Sequence, residues 1–483
     1  MNMKAPHFSR RRFIGSMLTL AGTGAAPFAL NLAAMGEAAA QSGTDYKAMV
    51  CLFMNGGNDT FNTVLATDPA SWNAYLSARN TGGAGSIHLP GVNETGGVLP
   101  IRPVTAQAGR SFALHPNLAP LKTLFDGGRA AIVANVGTLI APLTLAQYNE
   151  QSVALPPKLF SHNDQQSTWQ SGQPEGASVG WGGRLGDLAG TGNTNAMFTA
   201  VSAAGNTVFL SGRQVRQFQV GQAGAVAIRG ASGELFGTAA GSSALQAILA
   251  DAGNDLIEQE QKAVVQRAIA SQAILSSSML AAGPTGVPNP TNYVNPTTGV
   301  AAVNPLAVQL QTVARIIGAR GALGARRQVF YVTLGSFDTH DRQKVLHADL
   351  MARLAHALAY FDSTLAALQG SDLRRQVTTF TASDFGRTFT SNGDGTDHGW
   401  GAHHFVVGGA VRGGDIYGAF PTTGLGHALD VGSGALLPTT SVDQYGATLA
   451  KWFGVKDAQL GEVFPNLANF SKRDLGFMTA QPA

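Results

Sequence analysis

Five apolar runs decide which architectures are open to this chain. Lys47–Met54, Ala130–Asn135, Val329–Leu334, Val377–Thr381 and the short Phe405–Val407 are rich in valine, isoleucine or phenylalanine. Runs of this kind fit strands covered on both faces in a parallel sheet. Helical patterns fall between them. Leu118–Phe125 is amphipathic and Gly127-Gly128 stops it. The longest pattern reads from Val345 to Leu368, with Leu350, Leu354, Leu358, Phe361 and Leu365 at three- and four-residue steps. This alternation predicts an α/β fold with a doubly wound, mostly parallel sheet. Residues 190–240 read differently, as short alternating pieces (Thr207–Leu210, Gln217–Val220, Val226–Arg229) in a Gly/Ala/Ser-rich background. A helical stretch over Ala244–Leu280 and a Pro/Gly/Asn loop at 283–300 follow. Residues 190–300 are therefore expected to form an insertion or cap on a single domain spanning 41–483. No internal repeat is present.

The N-terminus reads as a leader. Ser9-Arg10-Arg11-Arg12-Phe13-Ile14 fits the twin-arginine export pattern, an uncharged stretch runs from Phe13 to Gly36, and Ala38-Ala39-Ala40 gives a small-residue cleavage site. The expectation is cleavage after residue 40, export to the periplasm by the twin-arginine machinery, and no stable membrane span afterwards. No later segment approaches about 18 unbroken apolar residues. The formal net charge of +3 belongs to this leader, where Lys4, Arg10, Arg11 and Arg12 stand against Glu37. The remainder is neutral and has no basic run, so nucleic acid is not an expected partner. Cys51 is the single cysteine, so an intramolecular disulfide is impossible, and its place in an apolar run marks it as core. Sixty glycines with only 13% charged residues indicate many tight turns around a large core, unlike a disordered chain.

Four polar constellations carry candidate chemistry, three of them just after a strand-like run, where α/β sheets bind ligands. In Asn55-Gly56-Gly57-Asn58-Asp59, Asp59 either faces that crevice or caps the next helix. In Ser336-Phe337-Asp338-Thr339-His340, Asp338 and His340 stand two apart and point the same way in an extended segment. Ser383-Asp384-Phe385-Gly386-Arg387 leads into Asp397-His398, with His403 and His404 close behind. The fourth, Ser161-His162-Asn163-Asp164-Gln165, opens a helix whose N-terminus either holds an anion or is merely solvated. Carboxylates and imidazoles are the ligand types of zinc, manganese, calcium and magnesium. No Gly-x-Ser-x-Gly elbow or dinucleotide fingerprint follows a strand-like run, and P-loop and His-Glu-x-x-His signatures are missing, which removes serine-hydrolase, ATPase and zincin readings.

Taken together, Gly-Gly-Asn-Asp (56–59), Leu-Phe-Ser-His-Asn-Asp-Gln (159–165), Gly-Trp-Gly-Gly-Arg-Leu (180–185), Phe-Asp-Thr-His (337–340), Ser-Asp-Phe-Gly-Arg-Thr (383–388) and Asp-His-Gly-Trp-Gly (397–401) resemble the exported bacterial family called domain of unknown function 1501. That family resembles, more distantly, the alkaline phosphatase and sulfatase superfamily, and the order of segments agrees. The resemblance implies metal ligation by some of Asp59, Asp338, His340, Asp384 and His398. It places His162, with Ser161 beside it, where the superfamily carries its nucleophile at a helix start. Departures accompany it. The usual serine, threonine or cysteine is a histidine in the simplest register, Phe385 stands where a histidine follows the fourth-strand aspartate, and Asp338 and His340 are closer in sequence than in phosphatases. One ion is better supported than two.

Two functions follow. The first is a periplasmic metal-dependent hydrolase of phosphate or sulfate esters, acting on a small-molecule or glycan ester. In it His162 or Ser161 is covalent acceptor or acid/base, and Arg387 pairs with the oxyanion. The second is a catalytically degenerate relative that keeps the fold and binds an envelope glycan or a partner protein.

Overall fold

The computed structural model describes residues 46–83, 85–226, 230, 234–250 and 255–479. The leader expected over residues 1–40 lies outside them. The strands of the central sheet, in chain order, are β1 (Lys47–Met54), β2 (Ala130–Gly137), β3 (Ala200–Ser202), β4 (Phe218–Gly221), β5 (Gly224–Ala225), β6 (Arg327–Leu334), β7 (Val377–Ser383), β8 (Ala402–Val407), β9 (Ile416–Tyr417) and β10 (Thr440–Ser441). Across the sheet they stand β9-β2-β8-β7-β1-β6-β3-β4-β5, with β10 also paired to β2. β1 is parallel to β6 and to β7, in registers that set Met54 beside both Leu334 and Ser383. β8 runs antiparallel between β7 and β2. The fold is mixed α/β around a large, mostly parallel sheet.

The helices used below are α1 (Pro69–Arg79), α2 (Ala119–Asp126), α3 (His162–Ser171), α4 (Trp181–Ala189), α5 (Pro305–Gly318), α6 (Gln343–Ala366) and α7 (Val442–Phe453). They cover both faces of the sheet. Ala48, Val50, Leu52 and Met54 of β1 enter one core with Leu124 of α2, Leu310 of α5 and Leu354 of α6. Met49, Cys51 and Phe53 enter the other with Trp169, Trp181 and Tyr445 of α3, α4 and α7. All eight residues of β1 are buried, which is why the run shows no polar alternation. The expected strands and the long helix are present. α6 ends two residues early at Ala366, and α2 is entered through a 3₁₀ turn at Pro116–Leu118.

Residues 200–225 depart from the expected insertion, because β3, β4 and β5 extend the central sheet beyond β6. Val208–Leu210 is a 3₁₀ turn, and most of the piece expected at 226–229 lies outside the described residues. Beyond it come two helices, Ala239–Ala250 and Leu256–Ser278, then a loop holding the two-stranded Tyr293–Val294 and Ala301–Ala302 pair. No helix among the described residues is long and apolar enough to cross a membrane.

The loops leaving β1, β6 and β7 meet at the carboxyl ends of those strands. Gly56 has φ +116°, and a Cβ there would lie 2.3 Å from the backbone nitrogen of Asp338. Only glycine permits this contact. Its N–H donates to Asp384 Oδ1 at 3.2 Å, which ties the β1 loop to the end of β7.

Beyond Gly56 the β1 loop is pinned by a charge pair. Asp59 and Arg79 are both fully buried and meet at 2.5 and 3.0 Å. The carboxylate also accepts from Gln343 at 2.6 Å and from the backbone N–H of Phe61, and so caps the 3₁₀ turn Thr60–Asn62. Burial works to raise the pKa of Asp59, and the charge and hydrogen bonds of Arg79 outweigh it, so the net shift is downward. A carboxyl lowered on folding adds stability above its unfolded pKa and loses it as pH falls through the folded value. Asp59→Ala strands a buried guanidinium. It should cost about 3–5 kcal/mol in urea unfolding at neutral pH, and the difference from wild type should shrink in acid.

Candidate functional site

Eight polar side chains gather where the three strands end, and their geometry is set by the backbone that carries each. Asp384 directly follows β7 and is buried. Its Oδ2 lies 2.6 Å from Nδ1 of His162 and accepts from Gln166 Nε2 at 2.9 Å. His162 opens α3 and Gln166 sits one turn along it, so both reach the same carboxylate. The hydrogen bond that Asp384 accepts is the main reason His162 is held above the ordinary histidine range, and burial opposes it.

Asp338, in the β6 loop, is the hub of the cluster. Its Oδ1 accepts from Arg387 at 2.6 Å and lies 3.0 Å from His340 Nε2 and 3.3 Å from His398 Nε2. Its Oδ2 is 3.3 Å from His162 Nε2. Partial burial works to raise its pKa, and the bond and charge of Arg387 more than offset that, leaving it lowered. His398, on the strand Thr396–His398, points Nδ1 at the carbonyl of Phe160 at 2.7 Å. His340 points Nδ1 at Asp397 at 3.2 Å, and its Nε2 lies 3.0 Å from that of His398. Phe385 packs on the rings of His162 and His398, with centroids at 4.8 and 4.7 Å.

These contacts fix the tautomers. Each of the three imidazoles has an acceptor at Nδ1 (a carboxylate, a carbonyl and a carboxylate), so in the neutral form each carries its proton there. All three Nε2 lone pairs then converge on the Asp338 carboxylate. His162 Nε2 is buried and makes no hydrogen bond, although Asp338 Oδ2 is near. Facing lone pairs repel unless a cation lies among them. One ligand atom each from His162, Asp338 and His398 fall within 4.8 Å of one another, a set able to hold a metal ion. Histidines whose outer nitrogen is held by a carboxylate or carbonyl are the usual second layer of such sites. The residues present fit a divalent ion.

The sequence-predicted residues divide accordingly. Asp338, His340 and His398, expected as ligands, lie together. His162, expected as acceptor or acid/base, places one ring nitrogen in the group with Asp338 and His398. Asp384, expected as a ligand, hydrogen-bonds His162 and takes the Gly56 N–H. Asp59, also expected as a ligand, has both oxygens engaged by Arg79, Gln343 and Phe61 and is not among the grouped ligand atoms. Ser161 donates to Asp164 at 2.9 Å, away from the cluster. Arg387, expected to meet an oxyanion, is fully buried and bonds Asp338, the carbonyl of Gly56 and both oxygens of Thr396. His403 and His404 are buried in β8, where burial pushes both down to about 3. Sequence reasoning missed the roles of Gln166 and Asp397. The four-residue step from His162 to Gln166 was the signal available for the first, and the two-strand hairpin that presents His398 was the signal for the second.

Loosely similar solved structures include Ps i-CgsB in complex with k-i-k-neocarrahexaose, at 9% identity over 89% of this chain and 77% of that one, TM-score 0.36. Another is BT33494S-sulf, from a locus for metabolism of multiple glycosaminoglycans in Bacteroides thetaiotaomicron, at 11% identity over 91% and 79%, TM-score 0.33. A third is the PsFucS1 sulfatase from Pseudoalteromonas sp., at 11% identity over 94% and 77%, TM-score 0.33. No curated protein matches in sequence. The family model described as "Protein of unknown function (DUF1501)" matches residues 46–462, and the chain belongs to that family.

Proposed function

We propose that this chain is a divalent-metal-dependent hydrolase of phosphate or sulfate esters, of alkaline-phosphatase-like type, working in the periplasm after twin-arginine export. The observation that carries the metal site is the convergence of three oriented Nε2 lone pairs on Asp338. The ester class comes from the segment order shared with the phosphatase and sulfatase superfamily, which is analogy.

His162, Asp338 and His398 would hold the ion, and two imidazoles with one carboxylate favour zinc over calcium or magnesium. A bound ion supplies Lewis-acid polarisation of the ester oxygen. The other residues act around it. Asp384 and the Phe160 carbonyl keep His162 and His398 in the ligating tautomer. Arg387 anchors Asp338. Phe385 walls the inner side of both rings against water. His340 is exposed at the rim with Asp397 behind its Nδ1, which suits its Nε2 lone pair to take a proton from the attacking water. Ser161 has no part, and water is the nucleophile.

Metal analysis of protein prepared without chelator should find one ion per chain. His398→Ala and Asp338→Asn should lose it, and Asp384→Asn should weaken it about 10–100-fold. Metal-free wild-type protein that is folded and monodisperse overturns the site and favours the degenerate, glycan- or partner-binding reading.

Turnover of 4-nitrophenyl phosphate and 4-nitrophenyl sulfate separates the roles. Ser161→Ala should stay within a few-fold of wild type. His340→Ala should keep its metal and lose about 10²–10⁴-fold in kcat. Loss of metal in His340→Ala would make it a ligand instead, and activity that vanishes in Ser161→Ala would restore the covalent route.

A further inference from the structure

Beside the His/Asp cluster, on the far side of Gln166, lies a cleft of about 360 Å³ that the reaction above leaves unused. Asn163, Gln166 and Gln170 form one wall, at the three- and four-residue steps of a single face of α3. Asn206, Thr207 and Asn55, the residue after β1, also line it.

The cleft and the cluster share their boundary. Gln166 donates to Asp384, the residue that orients His162, and Asn55 precedes the glycine whose N–H meets the same carboxylate. Gln166 is about 6 Å along the helix from His162. A group bound in the cleft can therefore be joined to an ester held at the cluster.

Apart from Glu175 the lining is uncharged, and its hydrogen-bonding capacity is incompletely used within the protein. Asn163 makes no hydrogen bond among the described residues. Gln170 accepts from Thr207 at 2.7 Å and from the N–H of Phe209 at 3.1 Å, which leaves its amide NH₂ free. Gln166 uses its NH₂ on Asp384 and keeps its oxygen. Asn206 uses its oxygen on Gln219 and keeps its NH₂. Carboxamides that offer donors from some positions and acceptors from others match hydroxyl groups, which do both. No lysine or arginine lines the cleft, and its one charged side chain is Glu175, so an anionic group entering it would meet a carboxylate with no cation to offset it.

We propose that this cleft binds the alcohol portion of the substrate and that this portion is a neutral, hydroxyl-rich group, a sugar or polyol, in place of a polyanionic chain. Calling the occupant part of a substrate rests on the hydrolase reading; the binding chemistry of the cleft does not.

The test is binding of the metal-loaded full chain to an array of neutral mono- to hexasaccharides printed beside their singly and multiply sulfated forms. Binding should fall on one or more neutral glycans or their monoesters. It should weaken about tenfold when two hydrogen bonds are removed in Asn163→Ala combined with Asn206→Ala, both at exposed positions, with the melting temperature unchanged. Asp338→Asn distinguishes the two readings, because it removes the metal and any hydrolysis while binding of the neutral glycan persists. Binding confined to multiply sulfated chains, neutral binding indifferent to the two alanines, or no glycan bound at all overturns the cleft. Neutral binding that needs Asn163 and Asn206 in a protein that hydrolyses no ester upholds the cleft and overturns the hydrolase reading alone.

Discussion

Arg387 is the constraint on which the arrangement of the site depends. Its guanidinium has no exposure, so the charge must be met inside the protein. It is met by the carbonyl of Gly56 from the β1 loop, by Asp338 from the β6 loop, and by both oxygens of Thr396 from the hairpin that carries His398. Three separate pieces of chain are thereby held to one planar group. Asp338 gains a fixed orientation, with Oδ1 toward Arg387 and Oδ2 left facing His162. Gln343 carries the restraint further, because it accepts from Thr339 and Thr396 and donates to Asp59. The Asp59–Arg79 pair and the Asp338–Arg387 pair are thus parts of one buried polar network. Such a network is stabilising only when every member is satisfied, and this one positions its single half-exposed carboxylate at the cluster.

The sheet was legible in the sequence because double burial removes polar positions. β1 shows it as an unbroken apolar run after Lys47, and β6 as one over Val329–Val332. β3, β4 and β5 have two to four residues each, too few to reveal a period, and their membership of the sheet is decided by pairing with β6. At the site, Asp338, His340 and His398 could be found because position after a strand and spacing along the chain are local properties. The partners could not. Asp384 and His162 are separated by 222 residues, and nothing near either specifies the other. Asp59 illustrates the same limit: its place after a strand suits a ligand, yet Arg79, at the end of the next helix, takes the carboxylate.

The start of α3 shows how the exchange of one side chain changes the chemistry that is possible. A hydroxyl there can be both oriented and free to attack. An imidazole has two nitrogens, and here Nδ1 donates to Asp384 while Nε2 faces Asp338. A ring held at Nδ1, with Nε2 turned among other ligand atoms, is a good ligand and a poor nucleophile. Phe385 completes the change. It stands where the superfamily pattern resembled by this chain has a histidine, and it packs its ring on His162 and His398. The substitution trades a ligand for a wall that fixes two ring planes. With Asp59 also neutralised by Arg79, the residues that would serve a second ion are already engaged within the protein. A site built this way brings ligand atoms of His162, Asp338 and His398 together and leaves its outer face open at His340.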